Sequence, residues 1–299
     1  MSDTRNFADR LLEAIEDKGS PVCVGIDPVY EKLPAPLRAH EHADDLQKVS
    51  AIVQYCNDLL EIVAPYVPAV KPQSAYFEQY RELGVEAYFN VVRRAKAMGL
   101  MVIGDVKRND IGSTASAYAA GHLGSEESAD CVTVNGYLGA DGIEPFIEVG
   151  KAAGRGLFVL VRTSNPSGAV IQDFADATGK KLYEHVADQV AKMGSADGLV
   201  GSSGYSIVGA VVGATYQAEA ARLRERMPQQ IFLVPGYGAQ GATADDCRAA
   251  FKADGTGAIV NASRSVIYAY AKASGDWKQA VDTAAAAFAQ DLRRAIWRK

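Results

Sequence analysis

The sequence is poor in cysteine, and its cysteines do not form the close pairs that build metal or redox sites. Four cysteines are spread over 299 residues, and no two of them make a CxxC pair. Cys23 and Cys131 lie inside apolar runs, so we expect reduced core residues rather than disulfide partners. This usage is typical of a cytoplasmic protein.

The sequence also lacks an excess of basic residues and any long apolar run. It has 31 Lys and Arg against 36 Asp and Glu, and the net charge of −5 argues against a general nucleic-acid binder. A small anionic ligand stays compatible, because a few basic residues at one site suffice. No apolar run approaches the ~18 residues that span a membrane, and the first twenty residues are too acidic for a signal peptide. We expect a cytoplasmic enzyme with neither nucleic-acid nor membrane partners.

Histidine is scarce, and its placement does not suggest catalysis. His40, His42, His122 and His185 fall in predicted loops or helices, and none of them belongs to an HExxH motif. A GxSxG nucleophile elbow is also missing, and no convincing metal cluster is visible. Catalysis would therefore depend on carboxylates and lysines.

Short apolar runs alternate with helical patterns along the whole chain. Each run is nearly continuous in hydrophobicity, as a parallel sheet covered on one face and packed on the other requires. The predicted strands are Pro21–Ile26, Ala69–Val70, Met101–Ile103, Cys131–Val134, Gly156–Val161, Ile207–Val212, Ile231–Val234 and Gly257–Val260. Predicted helices between them include Tyr76–Ala97, Ser113–Gly121 and Ala140–Ala152.

Eight strand–helix units predict an α/β fold, a (β/α)₈ TIM barrel rather than an open doubly wound sheet. No Gly-rich turn follows the first strand, which weakens the dinucleotide-binding alternative. No linker or composition shift divides the chain. Residues 1–299 are therefore predicted to form a single barrel domain with N-terminal and C-terminal flanking helices, and Gly194–Ser206 is interpreted as a long surface loop.

The stretch Met101–Thr114 (MVIGDVKRNDIGST) carries the densest group of charges. Its strand is predicted to stop at Gly104. Side chains two residues apart in an extended strand end share a face, so Asp105 and Lys107 should point the same way. Asp110 comes after the turn and is expected to serve another pocket wall or a neighbouring chain. The plainer alternative is a strand-end salt bridge followed by a helix N-cap.

Polar residues follow the predicted strands at many points of the barrel. Function in a TIM barrel lies at the C-terminal ends of its strands. The residues there are Asp27, Lys71, Asp105 with Lys107, Asn135, Ser164, Thr215, the Pro235–Gly241 loop and Arg264. A single polar strand end is common, but charges on the first, second, third and eighth units together indicate one shared site.

Two adjacent loops predict an anion pocket. The glycines of Pro235–Gly241 let backbone N–H groups approach phosphate oxygens, and Ser263 and Arg264 open the helix after the eighth strand. The planar guanidinium of arginine matches phosphate geometry. The glycine-rich loop alone would equally suit a flexible lid, but its pairing with Arg264 favours a phosphate.

The pattern Asp105-x-Lys107-x-x-Asp110-Ile111, with Thr114, resembles the signature of orotidine 5′-phosphate decarboxylases. The resemblance covers nearly the whole chain through Asp27, Lys71, Ser164, the Pro235–Gly241 loop with Gln240, and Arg264. The run Lys107–Gly112 and the extra length resemble the longer bacterial subgroup of that family. The chain departs from the family in a longer Ser167–Ser206 segment, and in Asn261-Ala262-Ser263 where shorter members have a glycine before the arginine.

This resemblance implies decarboxylation of orotidine 5′-monophosphate to uridine 5′-monophosphate and CO₂ in pyrimidine biosynthesis, without a cofactor. By the same resemblance, Lys107 would protonate C6, and Asp105 would keep Lys107 charged beside the substrate carboxylate. Lys71 and Asp110 would complete an alternating network of charges.

The resemblance also assigns binding roles. Asp27 would bind a ribose hydroxyl and Ser164 the pyrimidine edge. Gln240 and Arg264 would bind the phosphate, and Pro235 and Ser263 would line the same pocket. Asp110, Ile111 and Thr114 would reach the site across the interface of a homodimer.

Three other functions stay open at this point. One is a metal-dependent sugar-phosphate decarboxylase or aldol-type synthase of the same suprafamily, which would need another acidic ligand near the second strand, where this chain has Lys71. Another is a Schiff-base aldolase that uses Lys107 or Lys71. The third is a non-catalytic barrel that binds a phosphate or a nucleotide.

Overall fold

The computed structural model describes residues 4–38 and 42–297, and within these ranges eight parallel strands close into a barrel in the order β1 to β8. The strands are β1 Val22–Ile26, β2 Ala69–Pro72, β3 Met101–Arg108, β4 Cys131–Asn135, β5 Gly156–Arg162, β6 Val208–Val212, β7 Phe232–Pro235 and β8 Ala258–Ala262. The predicted TIM barrel is confirmed. His40 lies outside the described residues.

Helices cover the outer surface of the barrel. In the described ranges they are α1 Phe7–Lys18, α2 Asp45–Val63, α3 Ala75–Glu78, α4 Arg81–Ala97, α5 Gly112–Leu123, α6 Glu144–Ala153, α7 Gly168–Gln172, α8 Leu182–Gly194, α9 Gln217–Arg226, α10 Ala244–Cys247, α11 Arg264–Ile267 and α12 Trp277–Ile296. Short 3₁₀ helices lie at Tyr30–Lys32, Ala35–Leu37, Ala140–Gly142, Arg248–Ala250 and Ala269–Lys272.

The strands are buried on both faces, which explains their continuous hydrophobicity. Every residue of β1, β6 and β8 is buried, because the inner face fills the barrel and the outer face meets the helices. Helix α1 closes the N-terminal end of the barrel. Its Phe7 packs where Gly156 has no side chain, since a Cβ there would lie 2.1 Å from the Phe7 ring.

The helices begin and end at recognisable signals. Asp44 caps α2 in a capping box with Gln47. Asn6 accepts a hydrogen bond at the start of α1, and Gly19 ends that helix in the left-handed conformation. The apolar face of α12 packs onto the barrel through Val281, Phe288 and other buried residues.

Strand β3 is longer than predicted. The prediction that it stops at Gly104 is wrong, because the strand continues to Arg108. Its pairing with β4 shifts register between Gly104 and Arg108, and Lys107 has a φ of 44°. Asp105 and Lys107 therefore belong to a bulged strand rather than to a loop after it.

Several predicted helices are divided or shifted. The single helix predicted over Tyr76–Ala97 is two helices, α3 and α4. They are separated by Gln79 and Tyr80, and Arg81, the first residue of α4, has a φ of 54°. Gly84 allows this turn, since a Cβ there would lie 1.8 Å from the Phe77 carbonyl oxygen. The helix N-cap of the plainer alternative is also absent at the start of α5, because Ile111 precedes the helix and offers no side-chain cap.

The rest of the chain follows the expected pattern. The predicted Gly194–Ser206 loop contains no helix or strand after the end of α8. All four cysteines are buried thiols, which confirms the prediction for Cys23 and Cys131. No described helix combines the length and apolar character needed to cross a membrane.

Candidate active site

A cavity of about 590 Å³ opens at the C-terminal ends of the strands. Nine of the predicted site residues line it: Asp27, Lys71, Asp105, Lys107, Ser164, Pro235, Gln240, Ser263 and Arg264. A larger depression of about 770 Å³ lies at the opposite end, between α1 and the start of β8, and contains none of them. The location and the lining both make the first cavity the candidate active site.

The carboxylate of Asp105 lies at the centre of this site. One oxygen, Oδ2, accepts hydrogen bonds from Lys71 Nζ at 2.5 Å and Gln73 Nε2 at 3.0 Å. The other, Oδ1, accepts from Lys107 Nζ at 2.5 Å and from the Thr133 hydroxyl at 2.9 Å. Four donors on two oxygens fix the orientation of the carboxylate.

Burial and charge act against each other in this group. Burial would raise the pKa of Asp105, but the ammonium groups of Lys71 and Lys107 outweigh it and hold that pKa well below its usual range. Burial would likewise lower the pKa of Lys71, but the carboxylates of Asp105 and Asp27 raise it above its ordinary value. Lys71 and Asp105 are therefore both charged at neutral pH although they are buried.

Lys107 is the exposed member of the group. Its side chain is 47% accessible, while those of Lys71 and Asp105 are each 8% accessible. Its ammonium group therefore faces the open part of the cavity, where a ligand would bind. Its backbone φ of 44° is rare for a residue with a side chain, and such strain concentrates at functional sites.

The cavity wall has a charged half and an apolar half. Strands β1 to β3 supply Asp27, Lys71, Asp105 and Lys107. Strands β5 to β7 supply Leu160, Val211 and Leu233 to the same cavity. A ligand with a flat apolar face and an anionic edge would match this division.

The rim on the side of β7 and β8 is built by the two loops that predicted an anion pocket. Gly236, Gly238 and Gly241 all have positive φ, so the Pro235–Gly241 loop takes a path that residues with side chains rarely adopt. Tyr237 ties this loop to α12 through a hydrogen bond to Asp291 at 2.7 Å. Gln240 and Arg264 are exposed and line the cavity.

The Ser167–Ser206 segment supports the loop that carries Ser164. Gln172, at the end of α7, accepts a hydrogen bond from the Thr163 backbone N–H at 3.1 Å and donates one to the Thr163 hydroxyl at 2.6 Å. The buried guanidinium of Arg162 pairs with Asp173 at 3.0 Å and lies 4.0 Å from the Tyr216 ring centroid. The segment therefore braces the two residues that precede Ser164.

Three predicted residues lie outside the cavity of this chain. Asp110 Oδ1 accepts a hydrogen bond from the Ile111 backbone N–H at 2.8 Å, beyond the end of β3. Ile111 is 56% exposed, and Thr114 is exposed on the first turn of α5. Within one chain, these three residues therefore lie at the surface beyond β3 and do not line the cavity.

The described histidines lie away from the cavity lining. His122 stacks on Phe89 in α4, and His185 pairs with Asp176 at 2.8 Å. In the described parts of the chain, His, Cys, Asp and Glu side chains do not form any group of three that could share a metal ion. The position near the second strand where a metal-dependent relative needs an acid is occupied by the ammonium group of Lys71.

Known proteins resemble this chain over most of its length. A sequence model of the orotidine 5′-phosphate decarboxylase / HUMPS family matches residues 20–278. The orotidine 5′-phosphate decarboxylase of Rhodopirellula baltica is 44% identical over 303 residues, which cover 96% of this chain and 99% of the relative. That of Deinococcus radiodurans is 41% identical and covers 89% of this chain and 90% of its own. The chain belongs to the orotidine 5′-phosphate decarboxylase / HUMPS family.

A solved structure in this family agrees with the fold. The OMP decarboxylase of Leishmania donovani superposes with a TM-score of 0.78 at 30% identity, covering 98% of this chain and all of that one.

Some residues of this family member's site were missed by sequence reasoning. Thr133 sits in the apolar run CVTV and looked like an ordinary strand residue, although it contacts Asp105. Gln73 follows Pro72, where the strand was expected to have ended. Asn261 is 8% exposed, lines the cavity and has a side-chain oxygen, Oδ1, without a hydrogen-bond partner. The available signal for Gln73 and Asn261 was their position at a strand end, and Thr133, in the middle of β4, gave no such signal.

Proposed function

We infer that the chain is an orotidine 5′-phosphate decarboxylase, a carboxy-lyase that converts orotidine 5′-monophosphate to uridine 5′-monophosphate and CO₂ in pyrimidine biosynthesis. The observation that carries this function is the buried carboxylate of Asp105 held between the ammonium groups of Lys71 and Lys107. The family and its relatives agree with the same reaction.

The charge arrangement suits a decarboxylation that leaves an electron pair on a ring carbon. When the C6 carboxyl group departs as CO₂, negative charge develops at C6. A fixed ammonium group stabilises such charge in a water-poor site more than water does, because it needs no reorganisation during the reaction. Catalysis near the upper end of the enzymatic range requires on the order of 20 kcal/mol of such differential stabilisation.

In the proposed mechanism, Lys107 has two roles. Its ammonium group faces the growing charge at C6, and it then donates a proton to that carbon as the general acid. Asp105 keeps Lys107 charged and oriented, and Lys71 holds Asp105 from its other oxygen. The electron pair of the broken C6–carboxyl bond thus stays on C6 and forms the new C6–H bond. The proton comes from Lys107 Nζ, which is left as a neutral amine.

The remaining contacts place the substrate. We propose that Arg264 and Gln240 bind the phosphate at the rim, and that Ser164 contacts the edge of the pyrimidine. Asp27 has a buried Oδ1 without a partner, which suits a ribose hydroxyl donor. The binding energy of the phosphate, remote from C6, would be used to close the site over the reacting carbon.

The proposed function is tested by following the loss of orotate absorbance when the purified protein meets orotidine 5′-monophosphate in buffer containing EDTA. We expect conversion to uridine 5′-monophosphate at the same rate with EDTA as without it. The Asp105→Asn variant should be strongly impaired in both buffers. Activity that returns only when a divalent metal is added would support the metal-dependent alternative. No conversion with or without metal would refute the proposed function.

We also propose that two chains share each site in a homodimer, with Asp110, Ile111 and Thr114 supplied by the partner. Support comes from their position just beyond β3 and from their exposure in the single chain. Lys107→Ala and Asp110→Ala variants should each be inactive alone. Mixed dimers contain one intact site, so random exchange of equal amounts should restore about one quarter of the wild-type activity. No recovery from verified mixed dimers would refute the shared site.

Three finer assignments are also proposals. We place the chain in the longer bacterial subgroup, because the Ser167–Ser206 segment braces Ser164 and the R. baltica relative shares nearly its full length. The single domain is proposed to include all of residues 1–299. A cytoplasmic location would fit four buried cysteines that are all free thiols.

A further inference from the structure

Thr133 stands opposite the bulge that carries the reactive charges. The parallel ladder pairs Gly104 with Val132 and then Arg108 with Val134. Between these pairs β3 has three residues, Asp105, Val106 and Lys107, whereas β4 has only Thr133. A bulge of this kind interrupts the ladder hydrogen bonds and leaves backbone groups to be satisfied in another way.

The Thr133 side chain replaces the missing ladder contact. Its Oγ1 accepts a hydrogen bond from the Lys107 backbone N–H at 3.0 Å and donates one to Asp105 Oδ1 at 2.9 Å. The residue is only 1% exposed, and its single O–H donor is used by Asp105. It therefore has no proton left to donate to a substrate.

These two contacts act on the position of the reactive ammonium group. Lys107 keeps a φ of 44°, a conformation that is strained for a residue with a side chain and persists only when its surroundings enforce it. The hydroxyl of Thr133 links the backbone of Lys107 to the carboxylate that contacts its ammonium group. Without the hydroxyl, the Lys107 N–H would lose its partner, and the backbone could relax to an ordinary φ.

We propose that Thr133 is a positioning residue, whose hydroxyl fixes the backbone of Lys107 and the carboxylate of Asp105 so that the ammonium group faces the reacting carbon. The inference rests on the proposed function and extends it to a residue of β4. It predicts an effect on the chemical step and little effect on substrate binding.

The test compares Thr133→Val with Thr133→Ser and with a control at the other end of the barrel. Valine keeps the shape of threonine and removes the hydroxyl, whereas serine keeps the hydroxyl. The control is Thr256→Val, which removes a hydroxyl that contacts Tyr205 and Asp254 near the start of β8. For each variant, kcat, KM for orotidine 5′-monophosphate and Tm are measured.

We expect Thr133→Val to lower kcat by about 10- to 100-fold, the effect of a misplacement near 1 Å, while KM changes less than about threefold. Thr133→Ser should restore kcat to within about threefold of wild type. Thr256→Val should lower Tm and leave kcat unchanged, since it is remote from the cavity.

A kcat for Thr133→Val that matches the Thr256→Val control would overturn the proposal and leave Thr133 a structural residue only. If the valine variant does not fold, Thr133→Cys replaces it, because a thiol is a weaker donor of similar size. Its kcat must then fall below that of the serine variant, or the proposal fails. An inactive wild-type protein would instead refute the proposed function, so the two failures are distinguishable.

Discussion

The ammonium group of Lys107 lies 2.5 Å from the carboxylate of Asp105, two residues earlier in the same strand. In a regular strand, two such residues have Cα atoms about 6.6 Å apart and parallel side chains. Here the bulge and the positive φ of Lys107 bring the two groups into direct contact. The ion pair therefore depends on a local departure from strand geometry, held in place from β2 by Lys71 and from β4 by Thr133.

The exposed guanidinium of Arg264 should act mainly through the phosphate of the substrate. We expect Arg264→Ala to raise KM for orotidine 5′-monophosphate by about 10- to 100-fold, as for the loss of a charged hydrogen bond worth about 1.5–3 kcal/mol. Turnover of orotidine, which lacks the phosphate, should change far less. Steady-state kinetics with both substrates check this, and an equal loss with orotidine would count against a phosphate role.

A glycine on β1 should matter for binding without touching the phosphate itself. A Cβ added at Gly25 would lie 1.9 Å from Ser263 Oγ, so alanine must displace the residue that precedes Arg264 and α11. We expect Gly25→Ala to raise KM for orotidine 5′-monophosphate by about 10-fold, because the displaced Ser263 would shift Arg264 relative to the phosphate.

The control for Gly25→Ala is Gly121→Ala in α5, where an added Cβ meets nothing within 4 Å. That variant should have wild-type kinetics and slightly higher stability, because alanine is the better helix former. Unaltered kinetics in Gly25→Ala would mean that Ser263 can move without consequence. The position of Ser263 would then not determine how the phosphate binds.

Acid should weaken the fold through His122. Burial, helped by the charge of Arg108, lowers the pKa of His122 to about 4 in the folded protein, against about 6.5 when it is unfolded. The unfolded chain therefore binds more protons between these values, and stability present above pH 6.5 is lost as the pH falls toward 4.

His122→Phe isolates this effect, because phenylalanine can keep the stacking on Phe89 and cannot titrate. Free energies of unfolding from urea titrations at pH 7 and pH 5 give the comparison. Wild type should lose on the order of 1 kcal/mol more than the variant over this interval. Equal losses in the two proteins would show that His122 does not contribute.

Much of the fold could be read from the sequence, because buried parallel strands leave a direct hydrophobic signal. All eight strands were located, and the charged residues at their ends pointed to one cavity. Short elements were harder to predict. Helix α7 has five residues, too few for a clear helical period, yet it braces the Ser164 loop.

The details of β3 could not be predicted for a different reason. Hydrophobic alternation indicates where a strand lies, but not where it bulges, and nothing in the composition marks a lysine with positive φ. The role of Thr133 could not be predicted either, because a β-branched residue is expected in any strand. Its importance follows from three-dimensional register, in which one residue of β4 faces three of β3.

The most direct test of the central claim is the Lys107→Ala variant, assayed for turnover and for product binding together. If Lys107 supplies both the stabilising charge and the proton, turnover of orotidine 5′-monophosphate should fall by at least about 10⁴-fold. The Kd for uridine 5′-monophosphate and the Tm should stay close to wild type. Near-normal turnover in this variant would contradict the account, because the charge that faces the reacting carbon would then be dispensable.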